Sequence, residues 1–265
     1  MRRSSLGRSV ARWSLIILIG GYLLVPLVAM AEFSTRGDFG TRSLAAWFAI
    51  ADDPNLVDAV LVTLAIAGLT AVTTLVLLVP TMTWTYIRVP VMKRPVEFLC
   101  LLPLAIPAIV LVVGIVPIYS FLSRATRGNA LTLVFIDVIL VLPYAHRAID
   151  AGLKSIDVTT LAEAARSLGA SWPRVMVQII APNLRGAILS AAVIAVALVL
   201  GEYTISSLLN YDTLQVVIAL LGKRDAFIAV AVSLAALVFA FVLVLGIAVL
   251  GSERRRSTRP VEEPA

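Results

Sequence analysis

Residues 153–186, LKSIDVTTLAEAARSLGASWPRVMVQIIAPNLRG, form the most informative segment of the chain. The segment is amphipathic and predicts two short helices. Thr160 and Glu163 have the spacing of a capping box, in which each side chain binds the backbone amide of the other residue. Gly169 is placed to close the first helix, because glycine adopts the left-handed conformation at low cost. The segment is therefore expected to be folded rather than a loose linker.

The second predicted helix begins directly after this turn. Ser171 offers an N-cap, and Pro173 lies in the first turn, where its missing amide hydrogen is not needed. In the first helix, Ala162, Ala164 and Ala165 give one side little bulk, so the groove of another protein can approach the backbone. The segment is thus predicted to dock a partner.

The rest of the chain is strongly apolar. Apolar residues make up 60% of the sequence and charged residues 14%, against roughly 45–50% and 25% in soluble proteins. A soluble fold needs more polar surface than this composition supplies. The formal charge of +6 does not indicate nucleic-acid binding, because the basic residues separate apolar segments instead of sharing one solvated face. The composition is typical of an integral membrane protein.

Six apolar windows approach the length of about 20 residues that a membrane-spanning helix needs. They predict an all-α polytopic membrane protein with six transmembrane helices, at roughly residues 13–31, 57–84, 98–122, 130–150, 186–209 and 227–250. Prolines lie within these windows at Pro26, Pro80, Pro103, Pro107, Pro117 and Pro143. Each proline leaves a carbonyl that neighbouring protein or a wet cavity must satisfy. The third window, with three prolines, is therefore expected to be bent and buried in protein.

The basic residues predict the orientation of these spans. If the N-terminus is cytoplasmic, 16 of the 22 Lys and Arg residues are on the inner side: Arg2, Arg3, Arg8, Arg12, Arg88, Lys93, Arg94, Arg147, Lys154, Arg166, Arg174, Arg185, Arg254, Arg255, Arg256 and Arg259. The other 6 are on the outer side: Arg36, Arg42, Arg124, Arg127, Lys223 and Arg224. The positive-inside rule then places both termini and the segment between the fourth and fifth spans in the cytoplasm.

The first span has a rival interpretation. A basic start, an apolar core and the sequence Ala29-Met30-Ala31 resemble a signal peptide with its cleavage site. The apolar stretch approaches full spanning length, whereas a signal core has about 7–15 residues. This length favours a transmembrane helix.

The loop sequence resembles the EAA loop of ABC importer permeases. The resemblance rests on Glu163-Ala164-Ala165, then Gly169, Ile179 and Pro182 at the family's separations, and it departs at Ala181, where the family usually has leucine. In that family the loop carries a coupling helix that inserts into a cleft of the cytoplasmic ATPase. The resemblance implies a type I ABC importer permease fold, with one permease domain over residues 1–265 and a coupling loop at 151–185. The implied ATPase-coupling residues are Thr160, Glu163, Ala164, Ala165, Gly169, Ile179 and Pro182.

The same resemblance implies the partners. They are a second permease subunit, two ATP-binding cassette ATPase subunits, an extracytoplasmic substrate-binding protein and the lipid of the bacterial inner membrane. ATP and magnesium would be bound by the ATPase, and no cofactor is expected in this chain. Closure of the ATPases on ATP would then swing the spans from an inward-open to an outward-open form.

The solute is indicated only by the wider resemblance, which extends over residues 57–250. The segments LLPLAIPAIVLVVG, residues 101–114, and GEYTISSLL, residues 201–209, look like the second permease of polyamine-type importers. Related permeases for ferric iron, thiamine, molybdate and sugars share the scaffold. A polyamine is therefore the first expectation, and these other solutes stay open.

Several motifs of enzymes and carriers are missing from the sequence. The sequence around Gly222 and Lys223 does not match the other positions of the phosphate-binding loop motif. Nucleotide is therefore expected to bind elsewhere. No catalytic triad or zinc motif is present, and Cys100 and His146 are the only residues of their types. An ion-driven secondary transporter remains the rival class, although it typically shows two halves with matching broken helices.

Two carboxylates fall inside predicted spans, Asp137 and Glu202. A charge at mid-bilayer costs ~2.5–3.5 kcal/mol on insertion scales, so each is a functional hypothesis. Counting residues along the helices places both in the outer half of the bilayer. A cationic substrate such as a polyamine would meet them there, and Tyr119, Tyr144 and Tyr203 would add cation–π contacts. A scaffold role for Glu202, in which it binds backbone amides or an arginine, is the alternative.

Overall fold

The computed structural model describes residues 3–36 and 41–256, and within them the regular structure is helical. The α-helices are α1 Arg3–Ser34, α2 Ala45–Asp52, α3 Pro54–Ile87, α4 Lys93–Leu101, α5 Ala108–Thr126, α6 Val134–Lys154, α7 Val158–Ser167, α8 Trp172–Arg174, α9 Ala181–Asn183, α10 Arg185–Leu200, α11 Thr204–Leu208, α12 Leu214–Gly222 and α13 Ala226–Arg256. Short 3₁₀-helices occur at Pro90–Met92, Leu102–Ala105 and Ala130–Leu133, and a π-helix at Val175–Ile180. Arg2 and Arg259, which contribute to the predicted charge bias, lie outside the described residues.

Helix length and composition confirm the prediction of an all-α polytopic membrane protein. In the described part of the chain, five helical segments are long and apolar enough to span a membrane: Arg12–Ser34, Pro54–Ile87, Ala108–Thr126, Ala130–Lys154 and Ala226–Val249. A sixth span is obtained if the helical pair Trp172–Asn183 and Arg185–Leu200, bent by 79°, is counted as one.

The prediction of a single third span at residues 98–122 is wrong. Helix α4 ends at Leu101, the backbone becomes extended at Ile106, and α5 begins at Ala108. Proline disfavours a helical conformation in the residue before it, which explains a break directly before Pro107. The predicted bend of this window is confirmed by the break, and within this chain most side chains of α5 are exposed.

The predicted fifth span at residues 186–209 is also interrupted. Helix α10 ends at Leu200, and the short α11 begins at Thr204 after a break. The 16 residues of α10 rise about 24 Å, which is less than the ~30 Å of a hydrocarbon core. Glu202 therefore lies between two helices instead of inside one.

The contacts within the chain separate two units. One combines Met1–Val57 with Val217–Phe239, and the other combines Asp58–Val216 with Ala240–Ala265. Each unit has its own internal contacts, and the loop and both intramembrane carboxylates belong to the second.

In the first unit, aromatic side chains make the specific contacts. The rings of Phe33 and Phe227 stack with their centroids 5.1 Å apart. Trp47 donates a hydrogen bond from Nε1 to Oγ of Ser34 at 3.2 Å. The indole nitrogen thus has a partner, as a Trp that is partly buried in an apolar setting requires.

The second unit is built around α6. This helix buries residues along its whole length, including Val141, Ala145 and Ile149. Helix α10 packs along α6 and buries Ala191 and Ala195. Small residues let two helices approach closely, which is how helices associate in membranes.

Helices α6 and α10 approach each other closely at Gly152. A Cβ atom at this position would clash with the Cβ of Ala187 and would come within 3.3 Å of Leu184 Cδ2. The two helices therefore meet through a glycine on α6 and an alanine on α10.

We expect Gly152→Val to lower the stability of the protein, because the new side chain forces α6 and α10 apart. Overpacking of this kind costs roughly 1–3 kcal/mol. The melting temperature of the purified protein in detergent should fall. The control is Gly68→Val on α3, where an added Cβ meets nothing within 4 Å. Equal melting temperatures for the two variants would contradict the inferred close packing.

Candidate functional site

Helix α7 begins at an aspartate cap. Asp157 accepts hydrogen bonds from the Thr160 amide at 3.1 Å and from the Thr160 hydroxyl at 2.7 Å. The hydroxyl and then the amide of Thr160 hold the pKa of Asp157 below its usual value, since both donate to the ionised carboxylate. The predicted capping box of Thr160 and Glu163 is wrong, because Thr160 is the third residue of the helix and Glu163 is exposed on its surface. Aspartate is among the strongest N-caps and starts the helix earlier.

The turn after α7 confirms the predicted role of Gly169 in closing the helix. Its φ is +83°, and its amide donates to the Arg166 carbonyl at 2.9 Å. The next amide, of Ala170, donates to the Ala165 carbonyl at 3.0 Å. This pair of bonds defines a Schellman motif. A residue with a side chain would be strained at this φ, although no atom lies within 4 Å of the position its Cβ would take.

The second loop helix begins at the predicted position but without the predicted side-chain cap, and it continues irregularly. Ser171 is at the N-cap position and Pro173 is in the first turn of α8. The chain then widens into the π-helix Val175–Ile180 before α9. Pro182 lies in α9 and has no amide hydrogen to bind a carbonyl in the preceding turn, which is a physical reason for a π segment there. Ile179 is partly buried against the core, and Pro182 is exposed.

The predicted small-residue docking side of α7 is not one surface. Ala162 and Ala165 are buried in the hydrophobic core of the second unit. Ala164 and Glu163 are on the exposed side instead. Leu168, just before the Gly169 turn, is 90% exposed. The outward surface of the loop therefore combines a carboxylate with an unburied leucine.

A stack of cations and aromatic rings joins the loop to the end of α3. The guanidinium carbon of Arg88 lies 4.8 Å from the ring centroid of Trp172, and that of Arg166 lies 5.4 Å from the same ring. Trp84 meets Trp172 edge to face, with ring centroids 5.5 Å apart. Cation–π contacts of this kind contribute about 0.5–1 kcal/mol each at exposed sites. The loop is thus held to α3 by side chains as well as by its own helix packing.

A second set of side-chain contacts joins α3 to α6. The Tyr86 hydroxyl donates to Asp150 at 2.6 Å, and Lys154 pairs with the same carboxylate at 2.6 Å. Lys93 places its ammonium nitrogen 3.6 Å from the ring centroid of Tyr86. Asp150 thus ties α3 to α6, and Lys93 at the start of α4 packs on the tyrosine of this pair.

Asp137 and Glu202 line the same cavity of about 350 Å³, and Tyr144 lines it with them. The wall includes the 3₁₀ segment with Pro103 and Leu104. The helix breaks after α4 and after α10 therefore open onto this space. Irregular backbone at membrane depth is tolerated where it lines a cavity, which fits this position.

Glu202 is fully engaged with the backbone of α11. One oxygen accepts from the Ile205 amide at 2.6 Å, and the other accepts from the Ser206 amide at 3.0 Å and the Ser206 hydroxyl at 2.8 Å. The carboxylate therefore satisfies the free amides at the start of α11. This geometry supports the scaffold role that the sequence left as an alternative.

The other two predicted path tyrosines lie elsewhere. Tyr119 is buried and donates to the Thr132 carbonyl at 2.6 Å, and it lines a separate cavity with Tyr211. Tyr203 is 45% exposed and does not line the cavity of Asp137. The structure thus brings together three of the five predicted path residues.

Residues 83–257 match the family described as the binding-protein-dependent transport system inner membrane component. The match spans more than half of the 265-residue chain and includes both the loop and the carboxylate cavity. The chain belongs to this family. No curated protein matches the sequence.

As an inner-membrane component of a binding-protein-dependent ABC transporter, the chain is a permease subunit and serves transport rather than catalysis. Membership implies that it works with ATPase subunits and a binding protein in a multi-pass arrangement in the inner membrane. The choice between an ABC permease and an ion-driven carrier is thereby decided for the permease.

Sequence reasoning missed three contributors to the permease loop. Asp157 directly precedes the helix, and aspartate is a residue type that strongly favours the N-cap position. Leu168 breaks the polar pattern just before the glycine turn. The pairing of Trp172 with Arg88 had no sequence signal, because 84 positions separate the two residues.

We expect Asp157→Ala to loosen α7, because the substitution removes both bonds from Thr160. Hydrogen exchange of the amides in residues 158–163 should become several-fold faster, whereas Asp157→Asn, which keeps a side-chain acceptor, should stay near the original rate. The cap is fully present above the unfolded-chain pKa of about 3.9 and is lost as pH falls through the lower folded pKa. Unchanged exchange in Asp157→Ala would show that another group starts the helix.

Proposed function

We propose that this permease is part of an importer and that residues 151–185 form its cytoplasmic coupling loop. In the proposed assembly it pairs with a second permease, two ATPase subunits and a substrate-binding protein, and ATP and magnesium bind to the ATPases. Both termini would be cytoplasmic. The observation that carries the proposal is the exposed end of α7, where Glu163 and the 90% exposed Leu168 precede a left-handed glycine turn.

The outward surface of α7 has the features of a docking element. Leu168 offers an apolar side chain without burial in its own chain, and such residues act as anchors when they fill a partner's pocket. Glu163, Arg166 and Ser167 surround it with polar groups. The inward residues Val158, Ala162 and Ala165 hold the helix to the permease core. A force on the outward surface of α7 is then transmitted to the core, because the helix is packed against it.

Coupling requires that the contact with the ATPase differs between the two transport states. A partner shifts an equilibrium only by its difference in affinity for the two conformations. Asp157, Gly169 and the ring stack at Trp172 keep the loop in one shape. When the loop is rigid, movement of the ATPase also moves the helices that adjoin the loop. The affinity of the ATPase for the loop can then differ between the two transport states.

For the solute, we propose a polyamine or a related organic cation. Asp137, Glu202 and Tyr144 line one cavity in the second unit, and we place it on the substrate path. The negative charge of Asp137 in this cavity favours a positively charged solute over an oxyanion. Ferric iron, thiamine and sugars remain the alternatives on the same scaffold.

We expect Glu163→Lys and Gly169→Val to uncouple transport while leaving membrane insertion intact. The first variant reverses a charge on the docking surface, and the second strains a left-handed turn. Less ATPase should co-purify with each variant, and solute uptake should fall in parallel. The matched control for the glycine change is Gly68→Val on an open helix face. Normal yield of the ATPase with both loop variants would refute the docking role.

The orientation of the loop is tested by thiol labelling. Cys100 is the chain's one cysteine and is buried, so it can be replaced by Ala before a single new cysteine is introduced. We expect Ser167→Cys to react with a membrane-impermeant maleimide only in inside-out vesicles, and Lys223→Cys to react only in right-side-out vesicles. Labelling of Ser167→Cys from the outer side would overturn the proposed topology.

A further inference from the structure

We propose that Asp137 is a binding site for a single alkylammonium group, and that Glu202 positions the backbone of this site without touching the solute. The inference rests on the proposed function and deepens it, because it assigns the proposed cationic solute to one of the two carboxylates. It is carried by the different bonding of the two carboxylates in one cavity.

Asp137 is a buried carboxylate without a bonded partner. It lies in the first turn of α6, is 4% exposed and lines the cavity of about 350 Å³. Among the residues that the structure describes, none makes a hydrogen bond or salt bridge with its side chain. An ionised group withdrawn from water is costly unless a counter-charge binds to it. The cavity side of Asp137 is where such a counter-charge has access.

Glu202 differs because both of its oxygens already accept hydrogen bonds. Three donors from Ile205 and Ser206 surround them. A solute at Glu202 would compete with the bonds that hold the first turn of α11. Asp137 is therefore the carboxylate of this cavity whose oxygens are free to bind a donor.

The donor set disfavours ferric iron, oxyanions and sugars, each for a different reason. Among the described residues, no group of three or more His, Cys, Asp or Glu side chains is arranged to hold a metal ion, whereas metal cations need several such ligands. An oxyanion would be repelled by Asp137. A neutral sugar would leave the carboxylate without a counter-charge. An ammonium group supplies one positive charge and three donors, and its bonds to a carboxylate are charge-assisted.

The remaining walls suit the carbon chain of such a solute. Leu140, Val141, Leu198 and Val199 give the cavity apolar surface, and the volume lies in the range of small-molecule sites. Tyr144 adds an aromatic ring that attracts cations at short range. A primary amine thus finds a carboxylate for one ammonium group and apolar walls for its methylene chain.

The test uses the complete transporter in lipid nanodiscs without the binding protein, so that selectivity of the binding protein does not intervene. Binding of radiolabelled 1,4-diaminobutane and of n-butylamine is measured by equilibrium dialysis. The neutral probe is 1-butanol, and sodium chloride matches the ionic strength. We expect saturable binding of both amines and no competition by 1-butanol.

Variants distinguish the two carboxylates. Asp137→Asn should weaken amine binding about tenfold or more, because a charge-assisted hydrogen bond is lost. Glu202→Gln should weaken amine binding much less. Asp212 is exposed and outside the cavity, so Asp212→Asn should not change amine binding. Asparagine has the shape of a protonated aspartate, so unchanged binding in Asp137→Asn would overturn the proposal and assign Asp137 a neutral structural role.

Two further outcomes would also overturn the inference. One is the absence of saturable amine binding to the unmodified transporter, and the other is an equal loss of affinity in Glu202→Gln and Asp137→Asn. Co-purification of the ATPase is measured on the same preparation. An assembled complex that does not bind amines refutes this inference and the proposed solute but not the coupling function, whereas failure of the ATPase to co-purify refutes the proposed coupling function.

Discussion

The packing of α6 against α10 is the constraint on which both candidate sites depend. The helices approach through Gly152 and Ala187, where no larger side chain fits. Residues 155–184, the proposed coupling loop, connect the end of α6 to the start of α10. Asp137 lies at the other end of α6, and Glu202 follows the other end of α10. One antiparallel helix pair therefore positions the loop at one end and the cavity at the other.

This arrangement gives a physical account of how a force on the loop would reach the cavity. The inward side of α7 is buried with Val175 and Ile180 in the same core as α6 and α10. Close-packed interiors transmit strain because they contain little free space. A displacement of the loop would be passed to the helix pair and from there to the cavity wall. Small shifts become discrete changes where a packed interface has two stable arrangements.

The cavity itself depends on interrupted helices. The break around Pro103 and Pro107 brings irregular backbone to one wall, and the break after Leu200 brings Glu202 to another. The first break follows from proline chemistry. In the second, the carboxylate of Glu202 replaces helical hydrogen bonds by binding the amides of α11. A straight helix in either place would fill the space with side chains and remove the site.

The sequence by itself determined the membrane class, the approximate spans, the family of the loop and the turn at Gly169, because these depend on composition and on residues close in the chain. It did not determine that Asp157 rather than Thr160 caps α7, since two nearby residues compete for the same amides. Only the tertiary structure decided that Ala162 and Ala165 face inward, and that Asp137 shares a cavity with Tyr144 while Tyr119 does not. The physical reason is that the orientation of a side chain depends on how helices rotate and break against each other, which is set by packing between distant residues rather than by local preference.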